Sequence, residues 1–192
     1  MQEAEIMKVL EETGALLTGH FELRSGLHSD RYFQCAYLLR YPRVAERLCR
    51  SLGEAIRADL GGSVDADAVI SPALGGILVG HEIARALDLP SVFVEKAEGR
   101  LEMRRFEIAR GQRYLVAEDV VTRGGRVQET IDIVRAHGGR VIGVAVLVDR
   151  SAGQAGFGVP MWSLLRMAPV TWQPQECPLC RQGVKAVHPG SK

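Results

Sequence analysis

The chain has 192 residues, enough for one domain with a full hydrophobic core and cramped for two. Its 46% hydrophobic and 24% charged content is ordinary for a globular protein, and a net charge of +1 gives no whole-molecule argument for nucleic acid or membrane binding. No stretch approaches the roughly 18 apolar residues that span a bilayer, and the acids scattered through "MQEAEIMKVLEETGALL" do not suit a signal peptide, so a cytoplasmic protein is expected.

In chain order, residues 2–13 place Ile6, Val9 and Leu10 at helical spacing. The segment "HFELRSGLHSDRYFQCAYLL" alternates Phe21 and Leu23, later Tyr32 and Phe33, around a Ser-Gly turn, and reads as a hairpin. A helix follows from Pro42, with Val44, Leu48, Leu52 and Ile56 on one face. The pattern then alternates: "DAVISP" as strand, "GGILVGHEIARALDL" as helix, "SVFVEK" and "RYLVAEDVV" as strands. "RVQETIDIVRAHGG" is a helix closed by Gly138 and Gly139, and "RVIGVAVLVDR" is a strand. Continuous Val/Ile/Leu runs separated by helices predict an α/β fold whose parallel sheet is covered on both faces. Trp162, Leu164, Leu165 and Trp172 predict that the tail packs on the domain.

In such sheets ligands gather at the carboxyl ends of strands, where the strand order reverses. Three of these ends carry chemistry: "SPALGG", "EDVVTRGG" and "VDRSAG". In the second, Thr122, Arg123, Gly124, Gly125 and Arg126 lie between a strand and a helix. Glycines there let backbone N–H groups turn inward, and the helix N-terminus favours a dianion. A Walker A loop is excluded, because no Gly-Lys-Ser/Thr follows at the required spacing. Glu118 and Asp119 beside a phosphate site would repel the ligand unless they accept hydrogen bonds from vicinal ribose hydroxyls or face a bound Mg²⁺. The plain alternative is that they end a strand at the surface. No Ser-His-Asp or Cys-His arrangement for nucleophilic catalysis is visible.

Cys49 falls in a helical pattern as a small buried apolar residue. Cys177 and Cys180 form "CPLC", half of a four-ligand zinc site that His188 or a second subunit's pair could complete. Nothing in the sequence requires that, and a solvent-facing turn of free thiols is expected, with zinc or redox roles as alternatives. His20, His28, His81 and His137 are expected at the surface or at helix ends.

The segment "YLVAEDVVTRGG" resembles the phosphoribosyl-pyrophosphate signature of the type I phosphoribosyltransferases: an acidic pair after an apolar strand and before a Thr/Gly loop. "FELRSGLHSDRYFQ" is similar to the base-binding segment of the orotate phosphoribosyltransferase family, and "VLVDRSAG" resembles that family's Asp-Arg segment. With "SPALGG", these motifs stand in the expected order across residues 13–155.

The resemblance implies a type I phosphoribosyltransferase fold in a single domain over 1–192. A small hood comes from residues 1–40, and a tail from 156–192 packs on the core. It implies transfer of a phosphoribosyl group from phosphoribosyl pyrophosphate to orotate by a Mg²⁺-dependent homodimer in pyrimidine nucleotide synthesis. Glu118, Asp119, Val120, Val121, Thr122, Arg123, Gly124, Gly125 and Arg126 would hold the ribose 5-phosphate, with the acids on its 2′ and 3′ hydroxyls. Ala73, Leu74, Gly75 and Gly76 would form the pyrophosphate loop, with Arg24 near both ring and pyrophosphate. Tyr32, Phe33, Thr122 and Arg150 would bind orotate. Lys96 would act with Glu118 and Asp119 in catalysis, from a mobile lid that also carries Arg100, Arg104 and Arg105 and reaches the neighbouring subunit's site. The chain departs from the family where a basic residue often stands in the pyrophosphate loop, here Leu74 and Gly75. It also departs at Arg123 and Arg126, where small residues are usual, and in a lid where Lys96 alone aligns. A purine phosphoribosyltransferase and a non-catalytic regulator binding the same sugar pyrophosphate are the rival readings, and no DNA-binding segment is visible.

Overall fold

The computed structural model describes residues 1–23, 25–168 and 170–189. The N-terminal third forms α1 (Glu3–Glu12), the hairpin strands β1 (Leu16–Glu22) and β2 (His28–Phe33), α2 (Cys35–Leu39) and α3 (Pro42–Asp59). Then come β3 (Ala68–Pro72), α4 (Gly75–Leu87), β4 (Ser91–Ala97), β5 (Arg100–Glu102), β6 (Arg113–Val121), α5 (Gly125–Ala136) and β7 (Arg140–Asp149). The tail adds β8 (Met161–Arg166), β9 (Thr171–Trp172) and the short α6 (Pro178–Arg181). Among the described residues, no helix is long and apolar enough to cross a membrane.

The main sheet runs β5-β4-β3-β6-β7-β8, parallel throughout except for β5, which pairs antiparallel with β4. Strand residues alternate between two apolar layers, as the period of a strand requires. Val69, Leu115, Ala117, Ala145 and Leu147 meet α1 to α4 on one face. Ile70, Val116, Val144 and Val146 meet Val127, Ile131 and Val134 of α5 on the other. Burial on both faces explains why these strands read as unbroken apolar runs. Each fully buried Leu, Ile or Val contributes about 1.5–3 kcal/mol.

The order contains one reversal that matters. From β3 the chain moves outward to β4, then returns to lay β6 on the other side of β3. The carboxyl ends of β3 and β6 therefore flank a switch point, the crevice in which doubly wound sheets bind ligands.

A second sheet, β1-β2-β9, is antiparallel and joins the hairpin to the tail. The tail also reaches the main sheet, where β8 pairs with β7 and Trp162 Nε1 donates to Asp59 Oδ2 at 2.9 Å. Two sequence expectations are corrected here. Cys177 is fully buried and does not face solvent, although Cys180 is exposed. His20 and His28, expected at the surface, are 4% and 8% exposed. His188 is exposed and stands apart from the cysteine pair. The physical reason lies in β1: a bulge between Thr18 and Phe21 adds a residue to the strand and re-aims His20 inward, which no alternation pattern reveals. His81 on α4 and His137 at the end of α5 are exposed, as expected.

Candidate active site

The site is built where β6 gives way to α5. Gly124 takes a left-handed conformation (φ 74°) just ahead of the helix, and a Cβ there would lie 2.7 Å from the Phe157 ring. Only glycine meets both demands. No side chain caps the α5 N-terminus, so its first-turn amides and the positive end of the helix dipole are available to a ligand. A cleft of about 470 Å³ opens here, lined by Gly75, Glu118, Asp119, Val120, Val121, Thr122, Arg123, Gly124, Gly125, Arg126 and Val127. Thr122, Arg123 and Arg126 are exposed at its edge, while Val121 is buried beneath it.

The paired acids are not a surface strand end. Glu118 is 5% exposed, and Asp119 is half-buried. The Asp119 N–H donates to Glu118 Oε1 at 3.0 Å, and the Val120 N–H donates to Asp119 Oδ1 at 2.8 Å. Burial, reinforced by the neighbouring Asp119 charge, pushes Glu118 up to about 8. Two acids held this closely in a low dielectric do not both ionise easily.

The β3–α4 loop comes up against these acids, which accounts for its glycines. A Cβ on Gly76 would sit 2.9 Å from Glu118 Oε1, and one on Gly75 would collide with Asp119 Oδ2. Arg126 spans the two loops, its Nη1 donating to the Ala73 carbonyl at 2.7 Å. Leu74 projects from the loop tip, following a cis Ala73–Leu74 peptide.

Arg150 follows β7 beside the same strand end, its N–H donating to the Val121 carbonyl at 2.8 Å. Its guanidinium is half-buried, with Nε enclosed and unpaired among the described residues. Burial lowers its pKa, and nearby Tyr32 and Cys35 work in the opposite direction. Alternation along β2 separates the two aromatics that sequence placed together. Phe33 is 6% exposed and packs in the core with Leu16 and Leu38, whereas Tyr32 is half-buried, stacks 5.8 Å from Phe21 and lies on the Arg150 side. Phe33 is therefore corrected to a core residue, since adjacent strand residues cannot face one ligand.

Cys35 is the residue that sequence reasoning passed over. Its Sγ lies 3.9 Å from the Asp119 carbonyl. Burial first, then the Asp119 and Glu118 charges, push its thiol well up, while Arg150 pulls it down. A neutral thiol thus sits between the acid pair and the Arg150 side, ties the three groups into one neighbourhood, and stays inert. Its place directly after the aromatic pair and Gln34 was the available signal.

Lys96 is exposed on β4 and shares a recess of about 90 Å³ with Gly99, Leu101, Arg126 and Glu129. Arg126 thus borders both this recess and the main cleft. The segment expected to form a lid contains the β4–β5 hairpin, rooted by buried Leu101 and Ile108 and by the Phe93–Phe106 ring pair at 5.3 Å. Arg104 and Arg105 face Glu95 at 3.9 and 3.1 Å, and Arg100 is exposed. Arg24 lies outside the described residues.

Comparison with known proteins agrees with this architecture. The phosphoribosyl transferase domain family matches residues 40–157. The chain is 47% identical to the orotate phosphoribosyltransferase of Heliobacterium modesticaldum, over all of both chains. It is 48% identical to that of Pelotomaculum thermopropionicum, over 100% of this chain and 99% of the relative. The solved structure of the Aeropyrum pernix orotate phosphoribosyltransferase superposes with a TM-score of 0.67 at 29% identity, over 84% of this chain and 93% of that one. The Mycobacterium tuberculosis enzyme in complex with inorganic phosphate does so with a TM-score of 0.68 at 28% identity, over 85% and 95%. The chain belongs to the phosphoribosyl transferase domain family and, within it, to the orotate phosphoribosyltransferases.

Proposed function

We propose that the protein transfers the ribose 5-phosphate of phosphoribosyl pyrophosphate to N1 of orotate, giving orotidine 5′-monophosphate and pyrophosphate for pyrimidine nucleotide synthesis. The observation that carries this reading is the meeting of three groups at one strand end: a buried acid pair, an uncapped helix N-terminus and a half-buried arginine. The α5 amides and Thr122 bind the 5-phosphate. Glu118 and Asp119 accept hydrogen bonds from the 2′ and 3′ hydroxyls and face an anomeric carbon that turns cationic as the pyrophosphate leaves. The pair's attraction for that carbon is stronger in the transition state than in the ground state, where it matters for rate, and it comes from a pair in which burial makes Glu118 hold its proton. The backbone of Ala73, Leu74, Gly75 and Gly76 receives the leaving pyrophosphate, with Arg24, Lys96 and Arg126 adding charge around it.

Arg150 pairs with the orotate carboxylate as a planar fork, and Tyr32 and Thr122 flank the ring. An enclosed guanidinium suits a carboxylated pyrimidine and has nothing to pair with on a purine, which disfavours the purine reading. Mg²⁺, bound mainly through the sugar pyrophosphate, supplies charge neutralisation of the leaving group. The two carboxylates offer the oxygen donors that such a hard cation takes. We read residues 1–192 as one domain, with a hood from 1–40 and a tail from 156–192. We read it as acting in the cytoplasm as a homodimer whose β4–β5 segment closes over the neighbouring site and keeps water from the activated sugar.

The test is base consumption with the sugar donor and Mg²⁺, run with orotate, adenine, hypoxanthine and uracil. Orotate alone should be consumed, with pyrophosphate released in equal amount. Consumption of a purine, or donor binding without turnover, would support the rivals.

A further inference from the structure

The short tail after β9 lacks the usual means of holding itself down. Between residues 173 and 189, Cys177 is the sole buried residue, and α6 buries no side chain. Val184 and Val187 are exposed, and two-residue β9 with the isolated Phe21–Val187 bridge supplies the backbone pairing to the hairpin. Yet the tail returns to a fixed point, where Cys177 and Cys180 meet His20 of β1 and His28 of β2.

The four candidate ligand atoms lie within 4.8 Å of one another. His20 Nε2 is 2.8 Å from His28 Nδ1, 3.4 Å from Cys177 Sγ and 3.8 Å from Cys180 Sγ. Cys180 Sγ is 3.3 Å from His28 Nδ1. A tetrahedron with Zn–N near 2.0–2.1 Å and Zn–S near 2.3 Å has edges of roughly 3.3–3.8 Å. Three of the four separations fall on those edges, and the two imidazole nitrogens, at 2.8 Å, would move apart by about half an ångström to admit the ion. His20 Nδ1 sits 2.7 Å from the Val184 carbonyl, an acceptor that requires the proton on Nδ1. Nε2 then presents its lone pair to the cluster, the arrangement that a backbone carbonyl imposes on a metal-bound histidine. Two cysteines one turn apart and two neutral imidazoles are the donor set of a closed structural zinc site.

We propose that His20, His28, Cys177 and Cys180 bind one Zn²⁺, which staples the C-terminal tail to the β1–β2 hairpin. None of the four lines the cleft at the end of β6, so the site stands whatever base the cleft accepts. The metal replaces the core that a tail of this length does not build, and its binding energy becomes folding energy for the tail and hairpin.

The full chain, purified without chelator and under reducing conditions, should carry zinc equimolar with protein by elemental analysis. Cys177→Ser/Cys180→Ser should lose it, and His188→Ala should keep it. Removing the metal with a chelator should lower the thermal midpoint, restored by Zn²⁺ and not by Mg²⁺. Should the cysteine variant fold poorly, cobalt added to the zinc-free parent settles the matter through the thiolate charge-transfer and tetrahedral ligand-field bands of an S₂N₂ site. The proposal is overturned if the reduced parent neither carries zinc nor takes up zinc or cobalt stoichiometrically, or if the double cysteine variant retains full zinc.

Discussion

Glu118 carries an unusual charge state for a glutamate, and that has a measurable consequence. With its carboxyl near 8 against an ordinary 4.5, the folded protein holds this proton more tightly than the unfolded chain does. The stability from that proton is fully present below pH 4.5 and is lost as pH rises toward 8. Glu118→Gln removes the titration, so its midpoint should match the parent near pH 4.5 and exceed it at pH 8. At about 2–4 °C per kcal/mol for a chain of this size, the difference is readable by calorimetry. Parallel profiles for the two proteins would show that Glu118 is not the buried acid described here. At this scale the sequence told part of the story. Adjacent acids followed by a Thr/Gly turn marked the strand end that lines the cleft, and Arg150 stood out as the end of an apolar run. Neither the burial of Glu118 nor the thiol of Cys35 between acid and arginine could be read, because both depend on a loop and a helix that arrive from elsewhere in the chain. Paired aromatics likewise suggested a joint role for Tyr32 and Phe33, and the alternation of β2 separates them.

The turn from β6 into α5 is the element to which the proposed phosphate binding is assigned, and its two glycines do different things. Gly124 needs its positive φ and its missing Cβ, whereas a Cβ on Gly125 meets nothing within 4 Å. Gly124→Ala should cost about 1–2 kcal/mol from backbone strain alone, with the Phe157 clash added. Gly125→Ala, at the first residue of the helix, should leave the stability within about 1 kcal/mol of the parent, since alanine favours helix. Both should weaken binding of phosphoribosyl pyrophosphate, because each adds bulk beside the phosphate amides. Equal losses of stability in the two variants would contradict the geometry of the turn. Elements of this kind were well marked: β6 occupies the span that its apolar run set out, and α4 and α5 begin at their glycines. The short pieces α2, β8 and β9 were not, since two to six residues carry too little periodicity to separate strand or helix from loop.

For the molecule as a whole, periodicity predicts a covered parallel sheet, but it does not order the strands. The proposed function depends on that order: the return of β6 to the far side of β3 opens the crevice, and β7 beside it brings Arg150 to the same strand end. Motif resemblance pointed to the same strand ends before any geometry was available. The meeting of hairpin and tail was the least legible part, because residues 20 and 28 lie about 150 positions from 177 and 180 and come together only in the folded chain.

The central claim is that one strand end brings together two separable grips, a phosphoribosyl grip at β6–α5 and an orotate grip at Arg150. Steady-state kinetics of Arg150→Ala, with phosphoribosyl pyrophosphate affinity measured separately by calorimetry, tests it most directly. Loss of a charge-assisted pair worth about 1.5–3 kcal/mol should raise the KM for orotate roughly 10- to 100-fold. Donor affinity should stay within about twofold, since Arg150 does not touch the phosphate loop's amides. Equal losses for both substrates, or an unchanged KM for orotate, would contradict it.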